Sequence, residues 1–524
     1  MMADSAARAF VALSLFLGPG LGLTVCLPGF AGLKTGLAGR LAFAYLLGVA
    51  WIGLFLYTAS HFGRVPIDGP LVFIAAFIPL TAGAAAAVRR LAKRQWREPA
   101  AQSPRRPLPA LGWMGLFLLA TLVSATVLAN ALTHPLEDWD GRMTWSAQAV
   151  FIREAGTVDA AALRSPLSFI SHPRYPVLMP LVQTAVLEAT GSDDEHVFRA
   201  VYAAFFPALV LLVVDAGRRW AGARAALLTA FALLTVPWIP FFREGGATGA
   251  YSDLPLACFA GGGLVLLLQG RPRASAGVAA GLLLAAAILT KNEGLPEAAA
   301  AIALAGVSAA AAALRRHSQS ARARLLATSV ALSLLLAAFV LLADWRSSIP
   351  NRYDESYFDN FSLSSFVHSL ASTHVLSALP VIASRMLSTE AWGLFWWLAP
   401  LIFLAAAPTP RRPPTALLAV AAATPVVVAW AAYSHAQYPA YYAGVTWNRL
   451  LLQAAVPGFT LLALAVRKLL LRMGFERRLT TRPSPPLPQD AALSGHGAAG
   501  KFPMPHETLS CRAKNLQYGR KSSL

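Results

Sequence analysis

The sequence predicts an all-α integral membrane protein with about 13 transmembrane helices and juxtamembrane helices on its outer face. Three observations carry that prediction. Charged residues make up only 13% of the 524 positions, against roughly 25% in soluble domains, and mean hydropathy is +0.54. Apolar runs of about 20 residues, each long enough to cross a bilayer, recur along most of the chain. Basic clusters fall between those runs, so the net charge of +19 reads as a positive-inside pattern rather than a nucleic-acid surface.

The candidate spans are 9–31, 41–60, 70–88, 110–132, 198–216, 225–242, 253–269, 275–290, 294–314, 325–343, 391–407, 415–433 and 449–466. Basic clusters lie at 89–106, 218–224, 271–273, 315–324, 411–412 and from Arg467 onward. With Lys34 and Arg40 they hold 31 of the 44 lysines and arginines. Placing all of them in the cytoplasm puts the N-terminus outside and the C-terminus inside. The first apolar run is long and lacks a basic leader, so it reads as a retained span rather than a cleaved signal. Gly18-Pro19-Gly20 offers an alternative, a break that folds this run into a hairpin with the N-terminus inside. The segment 175–191 is apolar but short, and a span there would turn the later basic clusters outward. It reads instead as an interfacial or re-entrant helix on the outer face.

Four regions follow. Residues 1–107 form a three-span extension with a basic cytoplasmic loop, 108–345 a catalytic membrane module, and 346–476 the remaining spans and outer loops. Residues 477–524, rich in Pro, Ser, Gly and charge, form a disordered cytoplasmic tail. Cys26, Cys258 and Cys511 are too scattered for a disulfide framework or a zinc site.

Polar chemistry gathers on the predicted outer face. The loop 133–197 holds nine acidic and four basic residues. Further outer pieces are 242–255, 290–294, 344–362 and 433–453, carrying Arg243, Lys291, Arg352, Arg449 and many aromatics. A charge at mid-bilayer costs roughly 2.5–3.5 kcal/mol on insertion scales, so ionisable residues at these helix ends are functional candidates. Each also has a plainer role. Asp140 opens a stretch in which Met143, Ala147 and Val150 recur at helical spacing, so it can act as a helix cap. Asp138 and Asp140 form an Asp-x-Asp pair that can hold a divalent ion; no other cofactor is implied. Lys291 and Glu293 can be an internal pair. Arg449 and Gln453 share one helical face, either as an anion clamp or as an interfacial snorkelling arginine beside a glutamine. Trp392, Trp396 and Trp397 read as an interface belt.

Five stretches, in this order, resemble the bacterial polytopic glycosyltransferases of the GT-C superfamily, which include protein O-mannosyltransferases and lipid A aminoarabinose transferases. They are an acidic, Trp-bearing outer loop "EDWDGRMTWSAQAVFIREAG", a Tyr-Pro-x-Leu segment "HPRYPVLMPLVQTAVLEATG", "GAYSDLPLA", "GLLLAAAILTKNEGL" and "TWNRLLLQAAVP". Together they cover about residues 110–460. Two features depart from that pattern: three spans precede the one before the acidic loop, and Asn448 stands where an acidic residue is expected.

The resemblance implies sugar transfer, with inversion, from a polyprenyl-phosphate donor to a lipid, glycan or protein acceptor on the outer face of a bacterial inner membrane. Membrane lipids would surround the protein, and no nucleic-acid partner is implied. Asp140 is the expected general base, with Glu137 or Asp138 in support. Lys291, Arg449 and Arg243 are the candidates for the donor phosphate. His172, Arg174, Tyr175, Tyr251, Asp253, Glu293, Trp447 and Gln453 are candidate substrate contacts. A flippase or transporter would favour internal repeats and mid-membrane polar residues. A polymerase or ligase for lipid-linked saccharides would favour a large late outer loop.

Overall fold

The computed structural model describes residues 2–27, 36–92, 110–165, 167–269, 272–314, 318–350, 373–406 and 413–474. The tail from 477, Arg352, most of the 344–374 loop and the basic positions 93–106 and 411–412 lie outside the described residues.

Among the described residues every regular element is a helix. Eight helices are long and apolar enough to cross a membrane, and a bent pair, Pro439–Gln453 with Ala455–Arg472, makes a ninth candidate. Four other expected spans are shorter helices: Ala223–Leu234, Asp253–Leu267, Ala274–Thr290 and Phe395–Ala406. At about 1.5 Å per residue, a 12-residue helix such as Ala223–Leu234 rises only some 18 Å. The expected straight span at 449–466 is instead broken by a 62° bend at Ala454. Pro457, in the first turn of the second helix, has no N–H to continue the first helix's ladder, which fixes the break there.

The Gly-Pro-Gly stretch does not break the first helix. Met2–Cys26 is continuous, with Pro19 inside it. The glycines instead let three helices touch. A side chain on Gly20 would overlap the Ala44 carbonyl, and one on Gly48 would overlap that of Phe16. Small residues are what allow membrane helices to approach this closely. Met2–Cys26 therefore packs on both Leu37–His61 and Gly69–Ala92, and Leu37–His61 in turn packs on Glu195–Trp220.

The short segment after Tyr175 is a 13-residue helix, Leu178–Thr190, whose first ten residues are all buried. It packs against Leu37–His61 and Ala147–Ala155. Asp253–Leu267 is buried on every face, as expected of a helix apolar all round. It lies among Ala274–Thr290, Gly294–Leu314, Glu195–Trp220 and Pro439–Gln453. That surrounded position makes its first residue, Asp253, the centre of the site.

Candidate active site

Asp253 is fully buried, with 0% of its side chain exposed. It opens its helix, where unpaired backbone N–H groups favour a carboxylate. Three side chains converge on it. Lys291 Nζ lies 2.7 Å from Oδ1, Gln453 Nε2 3.1 Å from Oδ1, and Arg449 Nε 3.1 Å from Oδ2. Arg449 and Gln453, four apart on one helix, thus grip the same carboxylate. Each buried charge needs such partners, because an unpaired ion in this setting costs several kcal/mol.

The network runs on in two directions. Lys291 Nζ also lies 3.1 Å from Glu293 Oε1. Arg449 NH1 lies 3.0 Å from Asp140 Oδ2, which joins the 133–197 segment to the Pro439–Gln453 helix. The guanidinium sits 4.3 Å from the centre of the Tyr251 ring. Burial first, and then the Asp140 charge, hold the Tyr251 phenol well above its ordinary pKa, so the ring stays neutral. Gly245 adopts a left-handed φ of +94°, and a Cβ there would lie 2.9 Å from Arg449 Cγ. Glycine at that position therefore lets the 242–253 loop lie flat on the arginine.

Asp140 is not a helix cap. Its backbone is helical (φ −63°, ψ −37°) and its side chain accepts no capping hydrogen bond. It precedes a π-helical stretch, Gly141–Ser146, that runs into Ala147–Ala155. Wide turns of this kind concentrate at functional sites. Asp138 turns the other way: its Oδ2 accepts the Ala250 backbone N–H at 3.1 Å. Burial pushes the Asp138 carboxyl up to about 6, against the opposing Ala250 hydrogen bond. Glu137 pairs with Arg243, both about half exposed, away from Asp253.

The remaining candidates have contacts of their own. His172 and Tyr175 stack at 4.8 Å, and Tyr175 stacks on the buried Trp145 at 5.3 Å. Tyr175 also lies close enough to Arg449 to feel its charge. Arg174 donates to the Arg346 carbonyl at 3.4 Å, and Arg346 donates to Asn292 at 2.9 Å. Trp447 is buried on the Arg449 helix, 6.4 Å from Tyr433. Asn448 accepts from Trp392 Nε1 at 2.9 Å, which gives the departure at that position a structural role. Trp392 is accordingly buried, not part of an interface belt, whereas Trp397 is 51% exposed.

Two residues escaped the sequence reading. Arg199, only 2% exposed, donates to the His134 and Thr248 carbonyls and so ties the start of the 133–197 segment to the 242–253 loop. Glu297, 7% exposed, lies in an alanine-rich helix. Both are lone charges inside apolar spans, a signal that was available.

One carboxylate oxygen of Asp138 holds a backbone N–H, and one of Asp140 faces the Arg449 cation. Among the described residues no group of three or more His, Cys, Asp or Glu is placed to hold a metal.

No family model matches the chain, and no curated protein matches it. A solved structure that does match is the crystal structure of ArnT from Cupriavidus metallidurans bound to undecaprenyl phosphate. The two share 20% identity at a TM-score of 0.41. The match covers 68% of this chain and 60% of that one, so this chain spans less than two thirds of the ArnT chain's length.

Proposed function

We propose that this protein is an inverting membrane glycosyltransferase. It moves a sugar from a polyprenyl-phosphate donor to an acceptor hydroxyl, at the outer face of the cell membrane. The observation that carries the proposal is the Asp140–Arg449–Asp253–Lys291 chain: a carboxylate suited to be a base shares its arginine with a second, buried carboxylate. Four of the five sequence stretches that resemble the GT-C enzymes hold these same residues.

The chemistry follows from charge. As the acceptor oxygen bonds to the sugar's anomeric carbon, its proton passes to Asp140. The bond from that carbon to the phosphate oxygen breaks, and polyprenyl phosphate leaves as an anion. It needs positive charge rather than a proton, and Lys291 and Arg449 supply it. Both cations already face carboxylates, so an arriving phosphate competes for them. Taking Arg449 from Asp140 would leave the base free only when donor is bound. Asp253 would hold the two cations together throughout.

The test uses the purified protein, a panel of labelled polyprenyl-phosphate hexoses and pentoses, and an envelope lipid extract as acceptor. A glycosylated product and free polyprenyl phosphate are expected. A flippase would leave the donor intact. Lys291→Gln and Arg449→Gln should each weaken donor binding about tenfold or more, as expected for lost charge-assisted hydrogen bonds. Unchanged donor affinity in both would remove them from the phosphate site.

A further inference from the structure

The ion network is closed on the cation side but open on the acceptor side. Glu293 gives Oε1 to Lys291, while its Oε2 is buried with no hydrogen-bond partner. Glu297 Oε1 is likewise buried and unpartnered. The two glutamates sit four apart at the start of Gly294–Leu314, and Glu297 lies within electrostatic range of Glu293, Lys291 and Asp253. Gln453 adds a third acceptor of a different kind. Asp253 can only accept, so the Gln453 amide nitrogen must face it, and the amide oxygen is left buried without a partner. Gln453 is 2% exposed and Glu297 7%, so bulk water does not satisfy them.

We propose that Glu293, Glu297 and the Gln453 amide oxygen bind the hydroxyl groups of the sugar being transferred. This proposal rests on the transferase function above and names the part of the same site that recognises the sugar rather than the phosphate. The chemistry selects such a ligand. Glu293 pairs with Lys291, Glu297 lies within its electrostatic range, and Gln453 shares Asp253 with it, so three buried acceptors gather round one ion cluster. What is missing is a set of O–H donors, which a sugar ring presents a few ångströms from its phosphate. Lys291 then has two neighbours with distinct tasks: Asp253 fixes its position, and Glu293 joins it to the sugar. A phosphate-binding role alone leaves the buried Glu297 acceptor unused.

The experiment compares binding of decaprenyl phosphate with that of glucosyl-, mannosyl-, galactosyl- and arabinosyl-phosphodecaprenol. The wild type should bind at least one glycosylated lipid about tenfold more tightly than the bare lipid. Glu297→Gln and Glu293→Gln, each with a wild-type size-exclusion profile, should lose that preference by about tenfold, the effect of losing a hydrogen bond to a charged group. Their affinity for bare decaprenyl phosphate should stay within threefold or rise. Full retention of the sugar preference in both variants, or no preference for any of the four sugars in the wild type, overturns the assignment. A wild type that binds none of the five lipids overturns the transferase reading beneath it.

Discussion

Two charged knots hold this protein together, and they differ in one respect. The first centres on Asp159. Its Oδ1 accepts from His61 Nδ1 at 3.0 Å and Arg164 NH2 at 2.8 Å, while its Oδ2 accepts from Arg64 NH1 at 2.5 Å. His61 Nε2 continues to Asp344 Oδ2 at 2.8 Å. Both oxygens of the central carboxylate are taken, and the knot's outer members reach solvent: Arg64 is 73% exposed and Asp344 49%. The second knot centres on Asp253. It is deeper, and it leaves the acceptors of Glu293, Glu297 and Gln453 unmet. Both join segments far apart in the chain, so both are structural. Only the open one leaves acceptors unmet, for a ligand that brings O–H donors; the closed one's unmet atom is a buried donor, Arg164 Nε. Only the open one holds residues of the GT-C-like stretches.

The largest effect should come from removing the centre of the open knot. Asp253→Ala leaves Lys291 and Arg449 buried with less compensation, and breaking such a pair costs about 3–5 kcal/mol. The variant should melt far below the wild type in detergent, or fail to accumulate. Asp253→Ala combined with Lys291→Met should recover part of the loss, because Arg449 keeps Asp140. No recovery in the double variant would mean that Asp253 stabilises the fold by something other than charge.

Next in size is Asp140→Asn. The amide cannot take a proton, so transfer should fall about a hundredfold or more. Its oxygen still accepts from Arg449, which also keeps Asp253, so the variant should fold with a modest loss of melting temperature from the lost charge pair. Because Asp140 makes no capping bond, the change removes no backbone support. Near-normal turnover in Asp140→Asn, beside a dead Asp138→Asn, would move the base two residues upstream.

Asp138 should show its character in pH dependence instead. Its carboxyl is raised to about 6 in the fold by burial, from near 3.9 in the open chain. The protonated form is therefore favoured by folding. That contribution is full below about pH 4 and is lost as pH rises through 6, by about 3 kcal/mol in all. Asp138→Asn, which still accepts from Ala250, should flatten this part of the melting curve between pH 4 and 7. An unchanged pH slope would show that Asp138 is already ionised at the lower end.

The sequence revealed the members of the open knot better than their connections. Asp140, Asp253, Lys291, Glu293, Arg449 and Gln453 all stand out as polar residues at the ends of apolar runs. Periodicity put Arg449 and Gln453 on one face. It has no means of pairing Asp253 with Arg449, 196 positions away, or of turning Asp140 inward and Asp138 toward Ala250. The span count was legible as hydropathy but not as length: the Asp253–Leu267 helix has 15 residues because it is wrapped by neighbours rather than by lipid alone. Glycine-rich stretches misled in one direction. Gly18-Pro19-Gly20 resembles a break, and only the close passage of Ala44 shows that it is a contact.

The smallest effect should come from the closed knot, and it tests the comparison from the other side. Asp159→Asn keeps one acceptor oxygen and places an amide among His61, Arg64 and Arg164. Partly exposed ion pairs are worth about 0–1 kcal/mol each, and Arg64 at 73% exposure sits at the weak end of that range. The backbone supports nearby do not depend on the charge: the Val158 N–H donates to Ser60 Oγ, and the Asp159 N–H to Thr157 Oγ1, both at 3.1 Å. The variant should therefore lose about 1–2 kcal/mol at most, read as a small drop in melting temperature, and its turnover should stay within about twofold of the wild type. His61→Gln should behave alike, since Asp159 retains two arginines. A hundredfold fall in turnover in either variant, with melting unchanged, would give this knot a functional role despite its satisfied acceptors. Unmet acceptors would then no longer separate the site from the scaffold.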